Sequence, residues 1–284
     1  MRTFARIGSK YSDYNKSAVL LQSIPFDGTS TWGKGADKAF DAFIEASEHL
    51  ELYDIETDSE VYKHGIHIFP EIKENSSPEA VFEVVYNNTK NLLKTGKFLT
   101  FLGGEHSISI GIIKAFYEKY PNLTILQLDA HADLRASFFG SKYNHACAVH
   151  DALKNSNLVQ VGIRSMDVSE KQYLNRKKCF FAEEMYKNND WVENSINLMT
   201  DDVYLTIDLD VFDPSIMPAT GTPEPGGLDW YSIVNYLKIV FKEKNVVGFD
   251  IVELAPIENN KAPDYLTAKL YYKLLSYKFN NSEK

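Results

Sequence analysis

Short apolar runs that alternate with longer amphipathic stretches constrain the fold of this chain more than any other feature of its sequence. The runs are dense in Val, Ile, Leu and Phe and lack strict polar alternation, which predicts strands that are buried on both faces of a sheet. Six such strands are predicted, at residues 18–24, 98–102, 123–128, 158–163, 203–207 and 246–251.

The longer stretches have the periodicity of helices that bury one face. Alternating strands and helices predict an α/β fold with a mostly parallel central sheet. No linker or repeat divides the 284 residues, so we expect one domain over residues 1–284. Ser77 ahead of Pro78 is predicted to cap the second of six helices, at residues 38–50, 78–94, 107–119, 189–199, 229–242 and 264–277.

Charge and composition narrow the range of partners. The formal net charge of −9 argues against a nucleic-acid-binding protein and suits a small cationic substrate, although acidity also serves solubility alone. The start of the chain lacks the apolar segment of a signal peptide, and no apolar run is long enough to cross a membrane. Cys147 and Cys179 have neither disulfide-framework nor metal spacing, so we expect a cytoplasmic protein.

Polar clusters follow the predicted strands at the positions where ligands bind in parallel sheets. Asp129, His131 and Asp133 alternate along one extended segment, which directs three metal-capable side chains to one side. Asp208 and Asp210 repeat this arrangement after a later strand. Carboxylates that are buried together need a cation to neutralise them, so both clusters are interpreted as metal ligands. The alternatives are a solvated acidic loop for the first cluster and an Asx turn or helix cap near Pro214 for the second.

A histidine completes this candidate ligand set. His106 follows a Gly-Gly pair and precedes a predicted helix. Alone it would be interpreted as a core histidine or a helix cap. It is interpreted as a metal ligand only because the two aspartate clusters are also present. Asp213, ahead of Pro214, fits a turn and is predicted to be structural. The four aspartates and two neutral histidines carry four negative charges, which two divalent ions per chain would balance. Oxygen-rich ligation without thiolates favours Mn²⁺, with zinc as the alternative.

Three segments resemble, in order, the signatures of the ureohydrolase family, which includes arginase and agmatinase. They are Gly103-Gly104-Glu105-His106-Ser107, Asp129-Ala130-His131-Ala132-Asp133 and Thr206-Ile207-Asp208-Leu209-Asp210-Val211-Phe212-Asp213-Pro214. The resemblance covers most of the chain and implies a three-layer α/β/α sandwich. It implies that one manganese is held by His106, Asp129, Asp133 and Asp208. It implies that a second manganese is held by Asp129, His131, Asp208 and Asp210.

The resemblance also implies catalytic roles for two further residues. Glu253 matches the family glutamate that binds the substrate guanidinium, and His145 matches the histidine that relays protons. Without the metal motifs, the first would be interpreted as a surface carboxylate and the second as an exposed loop histidine. The implied reaction splits a guanidinium group into urea and an amine.

Agmatine is the predicted substrate, with putrescine and urea as products. The segment Pro25-Phe26-Asp27-Gly28-Thr29-Ser30 resembles agmatinases, and Arg135 stands where arginases have an Asn that helps to hold the α-carboxylate. Asp167 matches an arginase Asp that binds the α-amino group, so it is a candidate for binding the free amine of agmatine, with a helix cap as the alternative. The other candidate activities are arginase, guanidinobutyrase, formimidoylglutamase, a one-zinc deacetylase and a non-catalytic relative. The resemblance further implies a homo-oligomer, either a trimer or a hexamer.

Overall fold

One sheet of eight parallel strands occupies the centre of the computed structural model, which describes residues 2–280. The strands are β1 Val19–Ile24, β2 Ile66–Phe69, β3 Phe98–Gly103, β4 Thr124–Leu128, β5 Asn157–Ile163, β6 Cys179–Phe181, β7 Asp202–Asp208 and β8 Asn245–Val252. They lie in the order β2-β1-β3-β8-β7-β4-β5-β6, and every neighbouring pair is parallel.

Helices form most of the connections, because parallel neighbours need a crossover between one strand and the next. The described part of the chain contains nine α-helices: α1 Ser9–Ser12, α2 Ala39–Ser47, α3 Pro78–Leu93, α4 Ile108–Lys119, α5 Ala152–Asn155, α6 Ala182–Met185, α7 Asp190–Asn197, α8 Trp230–Glu243 and α9 Ala262–Phe279. Single 3₁₀ turns occur at Phe4–Arg6, Ala36–Lys38, Val61–His64, His145–Cys147, Val168–Gln172 and Leu209–Val211.

The strand side chains alternate between two cores, one on each face of the sheet. Leu21 of β1 packs into a core with Leu237 of α8 and Leu274 of α9, whereas Leu20 packs into the other core with Ile112 of α4. Helix α9 contacts α2 and α8, and α3 contacts α4. This arrangement confirms the predicted three-layer sandwich. None of the helices within residues 2–280 has the length and apolar composition needed to span a lipid bilayer.

The six predicted strands and six predicted helices are all present, with bounds that differ from the prediction by at most three residues. The helix cap is also confirmed, because the Ser77 hydroxyl accepts a hydrogen bond of 3.1 Å from the amide of Ala80. The prediction missed β2 and β6. These strands have four and three residues and lie at the two edges of the sheet, where one partner strand suffices.

The strand order explains why distant motifs meet. The strands β3, β8, β7 and β4 are consecutive in the sheet, and these are the four strands that the polar clusters follow. Their carboxyl ends therefore form one continuous edge at the middle of the sheet, which is where ligands bind in open α/β folds.

Candidate metal centre and active site

The first group of predicted ligands converges on one nitrogen atom. His106 Nδ1 lies 3.1 Å from Asp129 Oδ2, 3.2 Å from Asp133 Oδ2 and 3.3 Å from Asp208 Oδ2. Nevertheless, this buried nitrogen has no partner with hydrogen-bond geometry. Donor atoms that are close together but not hydrogen-bonded to each other suit a shared cation.

The second group lies beside the first and shares one residue with it. His131 Nδ1 is 2.8 Å from Asp210 Oδ2 and 3.7 Å from Asp129 Oδ1. Two sets of residues each offer one ligand atom per residue within 4.8 Å of the others in the same set: His106–Asp129–Asp208 and Asp129–His131–Asp210. The structure thus brings all six predicted ligands together, with Asp129 common to both sets. Asp208 belongs to the first set, while its Oδ1 accepts a hydrogen bond of 2.9 Å from the amide of Asp210.

Backbone and amide groups orient these carboxylates. Asp210 Oδ1 accepts from the amide of Ala130 at 3.0 Å, and Asp129 Oδ2 accepts from Gln127 Nε2 at 2.6 Å. Gln127 is itself held by Gln160, whose Nε2 donates to its Oε1 at 2.7 Å. These contacts orient the carboxylates of Asp129 and Asp210 towards the two histidines.

The charge balance of the group favours divalent cations. The four aspartates are 0–6% exposed, and their ion-pair partners within residues 2–280 are His106 and His131. Burial and the neighbouring Asp210 and Asp129 raise the pKa of Asp208 well above its usual range. Burial and Asp129 likewise raise the pKa of Asp133 to about 7. The residues present therefore fit a pair of bound cations with oxygen and imidazole ligands.

Glu253 lies directly against the first ligand group. Its Oε1 accepts a hydrogen bond of 2.7 Å from the amide of His106, and its own amide donates to the carbonyl of Gly104 at 2.9 Å. The backbone of Glu253 has a φ of +69°, a left-handed conformation that is uncommon outside glycine and costs about 1–3 kcal/mol. Strain of this kind is concentrated at functional sites, and it directs the buried carboxylate towards the cleft.

His145 is held by Thr29, a residue to which the sequence assigns no individual role. Thr29 Oγ1 lies 3.1 Å from His145 Nδ1 and accepts from the His145 amide at 3.0 Å. The Thr29 amide in turn donates to the buried carboxylate of Glu105 at 3.2 Å. Burial, together with the nearby His106 and His131, lowers the pKa of His145 to about 4, so the ring is neutral near pH 7.

Asp167 has the geometry of a helix cap, the alternative role that the sequence allowed for it. Its Oδ1 accepts from the amide of Ser169 at 2.9 Å, and Glu170 Oε2 accepts from the Asp167 amide at 2.7 Å. Its carboxylate nonetheless lines the cleft. Arg135 Nη2 lies 3.9 Å from Asp167 Oδ2, and Arg135 Nε lies 3.8 Å from Glu170 Oε2. The guanidinium group stacks over the ring of Phe138.

A cleft of about 300 Å³ leads to the metal-ligand groups. Its lining includes His131, Asp208, His145, Glu253 and Asp167, so the predicted metal ligands, the predicted catalytic residues and the candidate substrate residue all face one space. At the side of His131, Glu224 Oε1 lies 3.9 Å from the imidazole Nε2. Glu224 has no role that the sequence predicts, because a lone glutamate in a Pro-rich loop carries no metal or catalytic spacing.

The α/β sandwich with buried carboxylates and histidines at its central strand ends defines a candidate metal-dependent enzyme. A sequence profile described as "Arginase family" matches residues 17–277, and the chain belongs to this family. It is 36% identical to the N(1)-aminopropylagmatine ureohydrolase of Synechocystis, over 94% of this chain and 90% of that protein. It is 29% identical to the agmatinase of Pyrococcus horikoshii, over 92% of each chain. The crystal structure of the agmatine ureohydrolase of Thermoplasma volcanium superposes with a TM-score of 0.86 at 29% identity, covering 98% of this chain and 95% of that one.

Proposed function

We propose that this protein is a two-metal ureohydrolase that hydrolyses the guanidinium group of agmatine or an agmatine derivative. The observation that carries the proposal is the convergence of three carboxylate oxygens on the unpartnered, buried Nδ1 of His106. In this proposal the six ligands hold two Mn²⁺ ions, with the assignments that the family resemblance implies. Bound there, the ions supply Lewis acidity and activate water for attack on the guanidinium carbon.

Two other residues act directly on the substrate in this proposal. Glu253 keeps one carboxylate oxygen on the amide of His106, which leaves the other oxygen for charge-assisted hydrogen bonds to the guanidinium. Those bonds fix the orientation of the carbon that is attacked. His145, whose ring is neutral near pH 7, relays a proton towards the leaving amine.

The substrate is a linear guanidinium amine without an α-carboxylate. Arg135 would be the partner of an α-carboxylate, but it already faces Asp167 and Glu170. Agmatine is the first candidate, with putrescine and urea as products. N1-aminopropylagmatine is the second, because relatives with 34–36% identity carry that substrate in their names. Glu224, at the side of His131, offers a further carboxylate for the extra ammonium group of this longer substrate.

A side-by-side urea-release assay tests the reaction and the substrate together. The metal-free protein is loaded with Mn²⁺ and given agmatine, N1-aminopropylagmatine, arginine and 4-guanidinobutyrate. We expect kcat/KM for one of the first two to exceed that for arginine by at least a hundredfold. Equal turnover of arginine contradicts the substrate assignment, and the absence of urea from all four contradicts the proposed reaction.

Two controls separate the remaining alternatives. Metal analysis of the active protein should give two ions per chain, whereas one tightly held zinc would favour a deacetylase-like enzyme. Glu224→Gln should raise KM for N1-aminopropylagmatine more than KM for agmatine. An equal effect on both substrates would exclude Glu224 from selecting the longer one. Light scattering would test the homo-oligomer that the resemblance implies.

A further inference from the structure

Asp250 is a fully buried carboxylate that the proposed reaction does not use. It lies in β8 opposite Thr206 of β7 and is 0% exposed. Three hydroxyl groups donate to it, from Thr206 at 2.6 Å, Tyr204 at 2.6 Å and Ser109 at 3.0 Å. Burying a carboxylate in a sheet core is costly even when it is well hydrogen-bonded, so its position calls for a physical reason.

The Thr206 hydroxyl connects this carboxylate to His106. Its Oγ1 lies 2.6 Å from Asp250 Oδ1 and 3.0 Å from His106 Nε2. A hydroxyl has one hydrogen atom, and an ionised carboxylate only accepts. The hydrogen of Thr206 is therefore donated to Asp250, and its oxygen is left to accept from the imidazole.

This direction of donation fixes the tautomer of His106. With its hydrogen on Nε2, the ring presents a lone pair at Nδ1, the atom that faces the carboxylates of Asp129, Asp133 and Asp208. A metal ion needs an imidazole nitrogen with a free lone pair. Histidine ligands generally donate their other N–H to a fixed acceptor, which sets the ring orientation and raises the basicity of the ligating nitrogen.

We propose that Asp250 is a positioning residue that acts through the Thr206 hydroxyl to hold His106 in its metal-binding tautomer and orientation. The proposal rests on the proposed function only in taking His106 as a metal ligand. The carboxylate does not touch the cleft, and its negative charge strengthens the donation from the imidazole. The neighbouring hydroxyls of Tyr204 and Ser109 stabilise the carboxylate but do not reach the histidine.

Mn²⁺ titration of the metal-free protein by calorimetry tests this hydrogen-bonded link from Asp250 to His106 without any substrate. Thr206→Val replaces the hydroxyl by a methyl group of similar size, and we expect Mn²⁺ affinity to fall by about 10- to 100-fold. Thr206→Ser restores the hydroxyl and should return affinity to within threefold of the wild type. Tyr204→Phe is the matched control, because it removes one hydroxyl from the same carboxylate but leaves the link to His106 intact. Its affinity should also stay within threefold of the wild type.

Three outcomes would overturn the proposed role of Asp250. These are an unchanged affinity in Thr206→Val, an equal loss in Tyr204→Phe, or a wild-type protein that binds no Mn²⁺. Thermal unfolding of the metal-free variants shows whether each one is folded, and Thr206→Ala gives the same comparison if the valine variant is not. Urea release does not enter the titration. If the affinities contradict the role of Asp250 while the wild type still releases urea, only this inference fails. If the affinities agree with it but no urea is released, only the proposed function fails.

Discussion

Glu253→Gln is the substitution that most directly tests the proposed binding of the guanidinium. The amide keeps the size of the side chain and an oxygen that can accept from the amide of His106, a bond of 2.7 Å in the wild type. What changes is the charge on the acceptor that faces the cleft. The variant should therefore fold and bind metal like the wild type and fail mainly in turnover.

The expected loss follows from the strength of charge-assisted hydrogen bonds. Replacing a charged acceptor by a neutral one costs about 1–2 kcal/mol per bond, and a guanidinium can offer two N–H groups to one carboxylate. The total is about 2–4 kcal/mol. At about 1.36 kcal/mol per factor of ten, kcat/KM should fall by roughly 30- to 900-fold.

The assay is urea release from agmatine at saturating Mn²⁺, with metal content measured on the same samples. Glu258→Gln is the matched control, because Glu258 is an exposed carboxylate on the segment that follows the same strand. The control should stay within twofold of the wild type. Activity above a tenth of the wild type in Glu253→Gln would refute the guanidinium role. Loss of bound metal in that variant would show that Glu253 serves the metal centre instead.

Three further predictions concern stability and proton transfer. Gly104→Ala should destabilise the fold by about 3 kcal/mol or more, because the added Cβ would lie 1.7 Å from the carbonyl oxygen of Phe26. Gly8→Ala is the control, because open space surrounds Gly8, and its free energy of unfolding in urea should equal that of the wild type. Lys273→Met should cost about 3–5 kcal/mol by leaving a buried carboxylate unpaired. Although burial opposes it, hydrogen bonds from Lys273 lower the pKa of Glu56 to about 2, so wild-type stability should fall between pH 4.5 and 2, and less so in the variant. His145→Asn should reduce kcat by about 10²- to 10⁴-fold with metal content unchanged, and an unaltered kcat would exclude the relay role.

The elements that the sequence predicts well are those whose signal is local. A buried parallel strand needs an unbroken apolar run, and all six runs of that kind form strands. Turn chemistry is equally local. Asp213 was predicted to be structural, and its carboxylate accepts from the amides of Ser215, Gly226 and Gly227 at 3.0–3.1 Å. The helix cap at Asp167 is predictable in the same way, because its signal is local. A capping role is also compatible with the position of Asp167 beside the cleft.

The contacts that the sequence does not reveal are those between distant segments. Thr29 and His145 are separated by 116 positions, and no periodicity links a loop threonine to a loop histidine. The link from Asp250 through Thr206 to His106 depends on the strand order, in which β8 lies between β3 and β7. Parallel register places Thr206 opposite Asp250. Such pairings become visible only when the order of the strands is known, because motif spacing along the chain does not encode it.

Metal binding and folding should be coupled in this chain, because the metal-free site buries four carboxylates that repel one another. An ion that binds only the folded chain stabilises it by RT ln(1 + [M]/Kd), which is about 2.7 kcal/mol at a free concentration of 100 Kd. In a chain of this size, each kcal/mol raises Tm by roughly 2–4 °C. When Mn²⁺ is added to the chelator-treated protein, each of the two proposed ions should therefore raise Tm by roughly 5–11 °C at that concentration, and both together by roughly 11–22 °C, as measured by scanning calorimetry.

Asp210→Asn separates this coupling from nonspecific effects of the ion. The variant loses the charge of a ligand that lies 2.8 Å from His131 Nδ1, so its Mn²⁺-dependent rise in Tm should be less than half that of the wild type. It also breaks the ion pair with His131, which, although burial opposes it, lowers the pKa of Asp210, so the metal-free Tm of the variant should fall below that of the metal-free wild type. An Mn²⁺-dependent rise that is undiminished in Asp210→Asn, or absent from the wild type, would contradict a cation site at these strand ends.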